Sequence, residues 1–195
     1  MRKKLFLFAA LMSLLFTSAN LSAQVTTDVE QSNSKCRFYF NQRGFVSAQN
    51  PDNDYVVYEI SGMSASEIKT AAMTTISSMY KSPKDVVNNL SDNMIQLEGY
   101  MSRVYYSVMN SGDRYPVDIA FSFTVQFKDG KVRFNAPSFK QIYITNVPLM
   151  GQLKLDMSKS ITTLIDKPAD RDAVAERFNS LIKSVTGNLK SANDW

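Results

Sequence analysis

The sequence predicts an α+β fold in which helices pack on one face of an antiparallel β-sheet. Three observations support this prediction: a long alternating stretch that ends in a tight turn, a capped amphipathic helix before it, and a second amphipathic helix near the C-terminus. A sheet and a helix that each carry one apolar side are stable only when those sides cover each other.

A secretory signal peptide is predicted over residues 1–23. Arg2–Lys4 is basic, Leu5–Phe16 is apolar, and the small polar residues that follow allow cleavage after Ala19 or after Ala23, the site we favour. An apolar run of 12 residues is too short to span a bilayer. We therefore expect an exported chain, periplasmic or secreted, with no stable membrane anchor after cleavage.

Removal of the signal peptide changes the charge of the chain. The signal contains three of the 22 basic residues and none of the 18 acidic ones, which leaves 19 against 18 and a net charge of +1. So small a charge argues against nucleic acid as a partner. The single cysteine, Cys36, excludes an intramolecular disulfide, and we favour a buried inert thiol over an exposed one that pairs between chains.

Residues 24–35 are polar and predict a flexible leader, and residues 36–140 predict a sheet domain. Within that domain, 36–45 is aromatic-rich and 55–60 is predicted to form a strand. Ser64 and Glu67 form a capping box that starts a helix to about Lys81. One face of this helix carries Ile68, Ala71, Ala72, Thr75, Ile76 and Met79.

Two hairpins are predicted after this helix. The first joins 85–90 to 94–101 and is followed by a strand, or a continuation past a bend, at 103–109. In the second, apolar residues fill every odd position from Val117 to Phe127, which is typical of a strand with one buried side. Asp129-Gly130 predicts a type I′ turn, and alternation resumes from Lys131 to Ala136.

Residues 141–195 are predicted to form a C-terminal helical segment that packs on the sheet. Residues 142–147 could form a short edge strand, and the spacing of apolar residues predicts a helix over 151–166. A last helix is predicted over 169–190. Its apolar stripe consists of Val174, Phe178, Leu181, Ile182, Val185 and Leu189.

Several segments together resemble a family of exported proteins from Bacteroides-type bacteria, a domain of unknown function with a TATA-box-binding-protein-like fold. The segments that carry the resemblance are Tyr55–Ile60 before Gly62, Ser64–Glu67, Lys81–Val87, Ile95–Gly99 and Phe127–Phe134. The resemblance covers roughly Phe38 to Ile144. It implies a curved antiparallel sheet with helices on one face, and it implies no functional residues.

The sequence contains no histidine, which excludes Ser-His-Asp and Cys-His nucleophilic sites and any histidine-ligated metal. No glycine-rich phosphate loop is present. We therefore expect neither a cofactor nor a metal, and we do not expect an enzyme.

The open face of the predicted sheet is the candidate binding surface. A solvated polar face is normal for an antiparallel sheet, and the alternative is a shallow polar binding surface. DNA binding on this face is disfavoured by export, by the small charge and by the lack of apolar wedges. The candidate binding residues are Gln96, Tyr100, Ser122, Thr124, Gln126, Lys131 and Arg133.

Two functions remain open at this point. The first is a non-enzymatic exported module that holds a partner, plausibly a cell-envelope protein, on the open face or by strand addition at an exposed edge. The second is a small-ligand carrier or unusual hydrolase with a pocket between sheet and helices. That pocket would be lined by Met73, Met79, Phe121, Phe123 and Phe178.

Overall fold

The computed structural model describes residues 33–109 and 111–191, so the predicted signal peptide and most of the predicted leader lie outside the described residues. The strands are β1 (Phe38–Asn41), β2 (Gly44–Ser47), β3 (Tyr55–Glu59), β4 (Val87–Ser91), β5 (Met94–Val108), β6 (Arg114–Lys128), β7 (Lys131–Asn135), β8 (Ser138–Val147) and β9 (Gly151–Lys154). The helices are α1 (Ala65–Met79), α2 (Pro83–Val86), α3 (Ile161–Leu164) and α4 (Pro168–Ser191).

Within the described residues, seven strands form one antiparallel sheet. Five of them follow the order β3-β7-β6-β5-β4, and β8 and β9 are attached beside β6. β1 pairs with β2 in a separate hairpin. The long strand β6 pairs with β5 along one side. On its other side it pairs first with β8, over 117–122, and then with β7, over 125–128. β9 extends the sheet beyond β8. Strand β6 is therefore the centre of the sheet.

The alternation in β6 is confirmed. All six odd-position side chains from Val117 to Phe127 are buried, at 2% exposure or less. The even positions face the opposite side of the sheet, where Thr124 and Gln126 are partly exposed. Burial of each large apolar side chain contributes roughly 1.5–3 kcal/mol, so the register of this strand is strongly fixed.

The turn between β6 and β7 has two residues, as predicted, but it is not type I′. That type requires positive φ at both central residues, and only Gly130 has it, at 70°. The turn is instead held against the start of α1. The Ala65 amide donates to Asp129 Oδ1 at 2.8 Å, and the Gly130 amide donates to the Met63 carbonyl at 2.8 Å.

The odd-position face of β6 is covered by helices. The predicted stripe of α4 is buried along its length, and the Phe178 ring lies 5.0 Å from the Phe121 ring and 5.9 Å from that of Phe123. Ser64 is the N-cap of helix α1 and forms the predicted capping box with Glu67. Its inner face buries Ile68, Ala72, Thr75 and Ile76, whereas Met79, predicted on this face, is 43% exposed.

The β1–β2 hairpin packs on the same side as the helices. Phe40 and Phe45 stack at 4.7 Å, and Phe45 meets Phe178 edge-on at 5.3 Å. The Asn179 side chain in α4 accepts from the Phe38 amide at 2.8 Å and donates to the Phe38 carbonyl at 2.9 Å. The hairpin therefore completes the helix-side core.

The prediction of a helix over 151–166 is wrong. Residues 151–154 form β9, and helical structure in this range is limited to the four residues of α3. Asn146 and Leu149 adopt positive φ, at 60° and 65°, which reverses the chain and pairs β9 with β8. Strand β8 also runs through the boundary placed between 140 and 141, so the segment after 140 continues the sheet.

The predicted leader ends earlier than residue 35. Asn33 is 6% exposed, and its side chain accepts from the Glu59 amide and donates to the Glu59 carbonyl, both at 2.8 Å. These bonds fix Asn33 to the outer side of β3. No helix in the described part of the chain is long and apolar enough to cross a membrane.

Candidate functional site

The open face of the sheet carries a shallow pocket of about 470 Å³ at the end where β6 turns into β7. A row of residues paired across neighbouring strands forms its floor: Val57 in β3, Arg133 in β7, Gln126 in β6 and Met94 in β5. The remaining lining residues are Asn93, Phe127, Lys128 and Lys131. Strands and one turn alone supply this lining, so the pocket is a property of the sheet itself.

Arg133 is held in place by two neighbours. Its guanidinium lies 3.7 Å from the centre of the Tyr55 ring, and its Nε donates to Asn135 Oδ1 at 2.7 Å. Stacking on an aromatic ring and one fixed hydrogen bond restrict the guanidinium before any ligand arrives. The arrangement is therefore preorganised for a planar anion.

The pocket is lined by three basic side chains, Lys128, Lys131 and Arg133, and by no acidic one. Lys131 forms an exposed ion pair with Glu59 at 3.1 Å, just outside the lining. Lys128 is exposed and lies opposite Lys131 in the register. Like charges directly opposite each other in a sheet repel, so this end of the face favours a negative ligand.

The middle of the open face is more closed than predicted. The Gln96 side chain donates to the Ser122 hydroxyl, which leaves Ser122 only 6% exposed. Glu98 forms an ion pair with Lys140. Lys140 is the unpaired residue at a register shift in β8, between Phe139 and Gln141. The shift adds one residue to β8 at this part of the open face. Thr124 lies opposite Gln96.

The far end of the open face is built around Asp118, which is 7% exposed. Its carboxylate accepts from the Tyr100 hydroxyl at 2.7 Å and from the Arg103 amide at 2.8 Å. Arg103 has a φ of 52° where the register of β5 shifts, so Asp118 holds an irregular segment of that strand. Partial burial of the ring and the hydrogen bond to Asp118 raise the pKa of Tyr100 to about 12. The phenol therefore stays protonated at neutral pH, and we assign this end a structural role.

The predicted site residues thus fall into three groups. Gln126, Lys131 and Arg133 line the pocket together, Gln96, Ser122 and Thr124 form the closed middle, and Tyr100 belongs to the Asp118 cluster. Sequence reasoning missed the other pocket residues, above all Val57 and Met94. Both lie in segments already predicted to be strands, but only the strand order shows that they share one row on the open face.

The pocket imagined between sheet and helices is not found at its predicted lining. Phe121, Phe123 and Phe178 are at most 1% exposed, and the first two rings both contact that of Phe178, on which Phe139 stacks at 6.0 Å. Met79, also predicted to line this pocket, is instead 43% exposed. Aromatic rings fill this interface because the side chains of both layers interlock. Among the described residues, no group of three or more His, Cys, Asp or Glu side chains could hold a metal ion.

The architecture is α+β, with an open antiparallel sheet and helices on one face, so the predicted fold class is confirmed. The chain is similar to the crystal structure of a TBP-like protein from Parabacteroides distasonis, with a TM-score of 0.51 and 15% identity over 69% of this chain and 90% of that one. A DUF4468 family protein from Bacteroides ovatus is 13% identical over 69% of this chain and 84% of that one, with a TM-score of 0.43.

At such identities the likeness shows the fold alone. The first of these proteins comes from a Bacteroides-type bacterium, in agreement with the resemblance found in the sequence. No protein-family model matches the sequence. No curated protein matches it significantly either.

Proposed function

We propose that the chain is an exported, non-enzymatic binding module that holds a partner protein of the cell envelope on its open sheet face. The observation that carries the proposal is the pocket of about 470 Å³ that crosses four strands of that face. On the helix side of the sheet, the aromatic rings of Phe121, Phe123 and Phe178 fill the space between β6 and α4.

The sheet edges narrow the way in which a partner can bind. The outer side of β3 is occupied by side-chain amides, from Asn33 at Glu59 and from Gln49 at Val57. A partner strand cannot add there without displacing them. Strands β4 and β9 remain as edges for strand addition, and the open face offers the larger prepared surface.

The carrier or hydrolase alternative has less support. Three of the side chains that would line its pocket, Phe121, Phe123 and Phe178, are packed in the core, and the sequence has no histidine for acid–base or nucleophilic chemistry. The open-face pocket is lined by basic and amide side chains, which recognise anions, and its lining contains no paired base and nucleophile.

Site-directed photo-crosslinking in envelope extract tests the proposal. A benzophenone amino acid at Gln126 is expected to capture one protein, whereas the same group at Glu176, on the exposed side of α4, captures none. Excess unlabelled wild type should abolish the capture. A Thr124→Lys, Arg133→Glu chain with an unchanged circular dichroism spectrum should not compete. Equal capture at both positions, equal competition by both chains, or no capture at all would overturn the proposal.

A further inference from the structure

The spacing of the four residues on the pocket floor matches that of side chains in an extended peptide. Its floor runs from Val57 through Arg133 and Gln126 to Met94, one residue from each of four adjacent strands. Neighbouring strands lie about 4.8 Å apart, so the row is about 14 Å long. Both of its ends are apolar and its middle is polar. In an extended peptide, side chains two residues apart point the same way and lie about 6.6 Å apart, so five residues cover the same length.

The middle of the row has free hydrogen-bond donors. Arg133 uses its Nε for Asn135, and its two terminal nitrogens make no hydrogen bond within the described residues. The side-chain amide of Gln126 also makes none there. A guanidinium pairs with a carboxylate through two parallel hydrogen bonds, and a neighbouring amide can donate to the same oxygens.

The charge around the row also favours a ligand that carries a carboxylate. Lys128 and Lys131 both lie on the turn side of Arg133, and the lining contains no acidic side chain. Glu59 offsets only Lys131, which leaves an excess of positive charge at the pocket. A ligand with one carboxylate between two apolar groups is complementary both to this charge and to the apolar ends.

We propose that this pocket binds an extended acidic peptide segment of the partner, in the pattern apolar–any–acidic–any–apolar. The acidic side chain lies between Arg133 and Gln126, and the apolar side chains lie over Val57 and Met94. The segment crosses the strands and does not pair with a sheet edge. This inference rests on the proposed function, since it names what the open face recognises.

Titration of the purified chain with defined peptides, followed by backbone amide NMR, tests the inference. The first peptide is acetylated and amidated, with leucine at positions one and five, serine at two and four, and glutamate at three. We expect it to shift the amide signals of Gln126, Lys131 and Arg133. A second peptide with glutamine at position three should bind at least about tenfold more weakly, because one charge-assisted pair is lost.

Variants of the chain supply matched controls. Arg133→Gln should weaken the glutamate peptide at least about tenfold, and Arg43→Gln, at an exposed arginine in the β1–β2 turn, should leave it unchanged. If Arg133→Gln alters the fold, Lys128→Gln serves instead, because the Lys128 side chain is exposed. It should weaken binding about threefold, as expected for one exposed charge.

Three results would overturn the inference: equal affinity for the two peptides, shifted signals away from the pocket, or inorganic phosphate that binds as tightly as the glutamate peptide. The last would show an anion subsite without peptide recognition. If the peptide fails while crosslinking from Gln126 still captures a competed partner, only the acidic pattern is wrong. If both fail, the open-face module is wrong as well.

Discussion

The side chain of Gln49 pairs with the backbone of Val57 as a neighbouring strand would. Its Nε2 donates to the Val57 carbonyl at 2.8 Å, and its Oε1 accepts from the Val57 amide at 2.9 Å. Asn33 repeats this arrangement at Glu59, two residues further along β3. These two amides occupy groups that would otherwise template association with another strand.

Removal of both amides should open this edge. We expect the Asn33→Ala, Gln49→Ala chain to lose about 1–3 kcal/mol of unfolding free energy and to associate as its concentration rises. Urea denaturation and sedimentation velocity measure the two effects. Asn88→Ala, in the edge strand β4, is the control and should change neither. A double variant that stays monomeric and equally stable would contradict the assigned role of the amides.

Gly99 is required by the packing of Phe121. A Cβ at this position would lie 2.5 Å from Phe121 Cζ, and this ring has little room to move because it is buried and lies 5.0 Å from the Phe178 ring. We expect Gly99→Ala to lower the unfolding free energy by about 1–3 kcal/mol, measured by urea denaturation.

Gly187 provides the matched control for this substitution. It lies within α4, and a Cβ there would meet no atom within 4 Å. Gly187→Ala should therefore raise stability by up to about 1 kcal/mol through helix propensity. If both substitutions have the same sign, the assigned contact with Phe121 is wrong.

The Cys36 thiol should be unreactive in the folded chain. Burial raises its pKa to about 12 from 9.0. At pH 8 we expect iodoacetamide to modify the native thiol at least about a hundredfold more slowly than the urea-unfolded one, as followed by mass spectrometry. Similar rates in the two states would show an accessible thiolate.

The same pKa shift predicts a pH dependence of stability. Because the folded pKa is raised, the stabilisation is complete below pH 9 and is lost as the pH rises towards 12. Cys36→Ala should therefore show a shallower alkaline decline in unfolding free energy than wild type. Parallel curves between pH 8 and 11 would exclude the thiol as a cause.

The capping box of α1 should be visible in the titration of Glu67. The Ser64 amide donates to Glu67 Oε2 at 2.8 Å and the Ser64 hydroxyl at 2.7 Å, and these bonds lower the pKa of the carboxyl. Ser64→Ala should raise this pKa towards the ordinary value of 4.5 without reaching it, because the backbone bond remains. Carboxyl-carbon NMR measures the change, and the exposed Ser66→Ala is the control.

The sign of the accompanying stability change also follows. A lowered pKa stabilises the fold above the ordinary value, and that stabilisation is lost as the pH falls through the folded pKa. The stability difference between wild type and Ser64→Ala should therefore shrink at low pH. A difference that grows on acidification would contradict the reciprocal bonds.

Features with a short repeat were predictable from the sequence. The period-two alternation of β6, the Ser64–Glu67 cap and the stripe of α4 each depend on residues only a few positions apart. The segment after Gly151 misled because Leu153, Met157 and Ile161 fit a helical period equally well. There the pairing of β9 with β8 outweighed local preference, and periodicity carries no information on that pairing.

The candidate site was predictable only in part, for a related reason. Alternation placed Gln126 and Arg133 on the open face, but the pocket exists because β3 joins the sheet beside β7, far away in the sequence. That pairing brings Tyr55 to Arg133 and Val57 to the end of the row. Closure of the middle of the face by Gln96 and Ser122 likewise depends on side-chain contacts between strands.

The side-chain amides of Asn33 and Asn179 also make the fold sensitive to chemical ageing of the chain. Asn33 and Asn179 are each followed by a serine, and asparagine side chains hydrolyse slowly to carboxylates. The Nδ2 atom of Asn33 donates to the Glu59 carbonyl at 2.8 Å, and that of Asn179 donates to the Phe38 carbonyl at 2.9 Å. Hydrolysis would replace each nitrogen with a carboxylate oxygen, which repels the carbonyl oxygen. An aged chain would therefore release β3 and β1 from their side-chain partners while the sequence of its core stayed intact. Deamidation of Asn33 would therefore expose the Glu59 end of the β3 edge without any mutation.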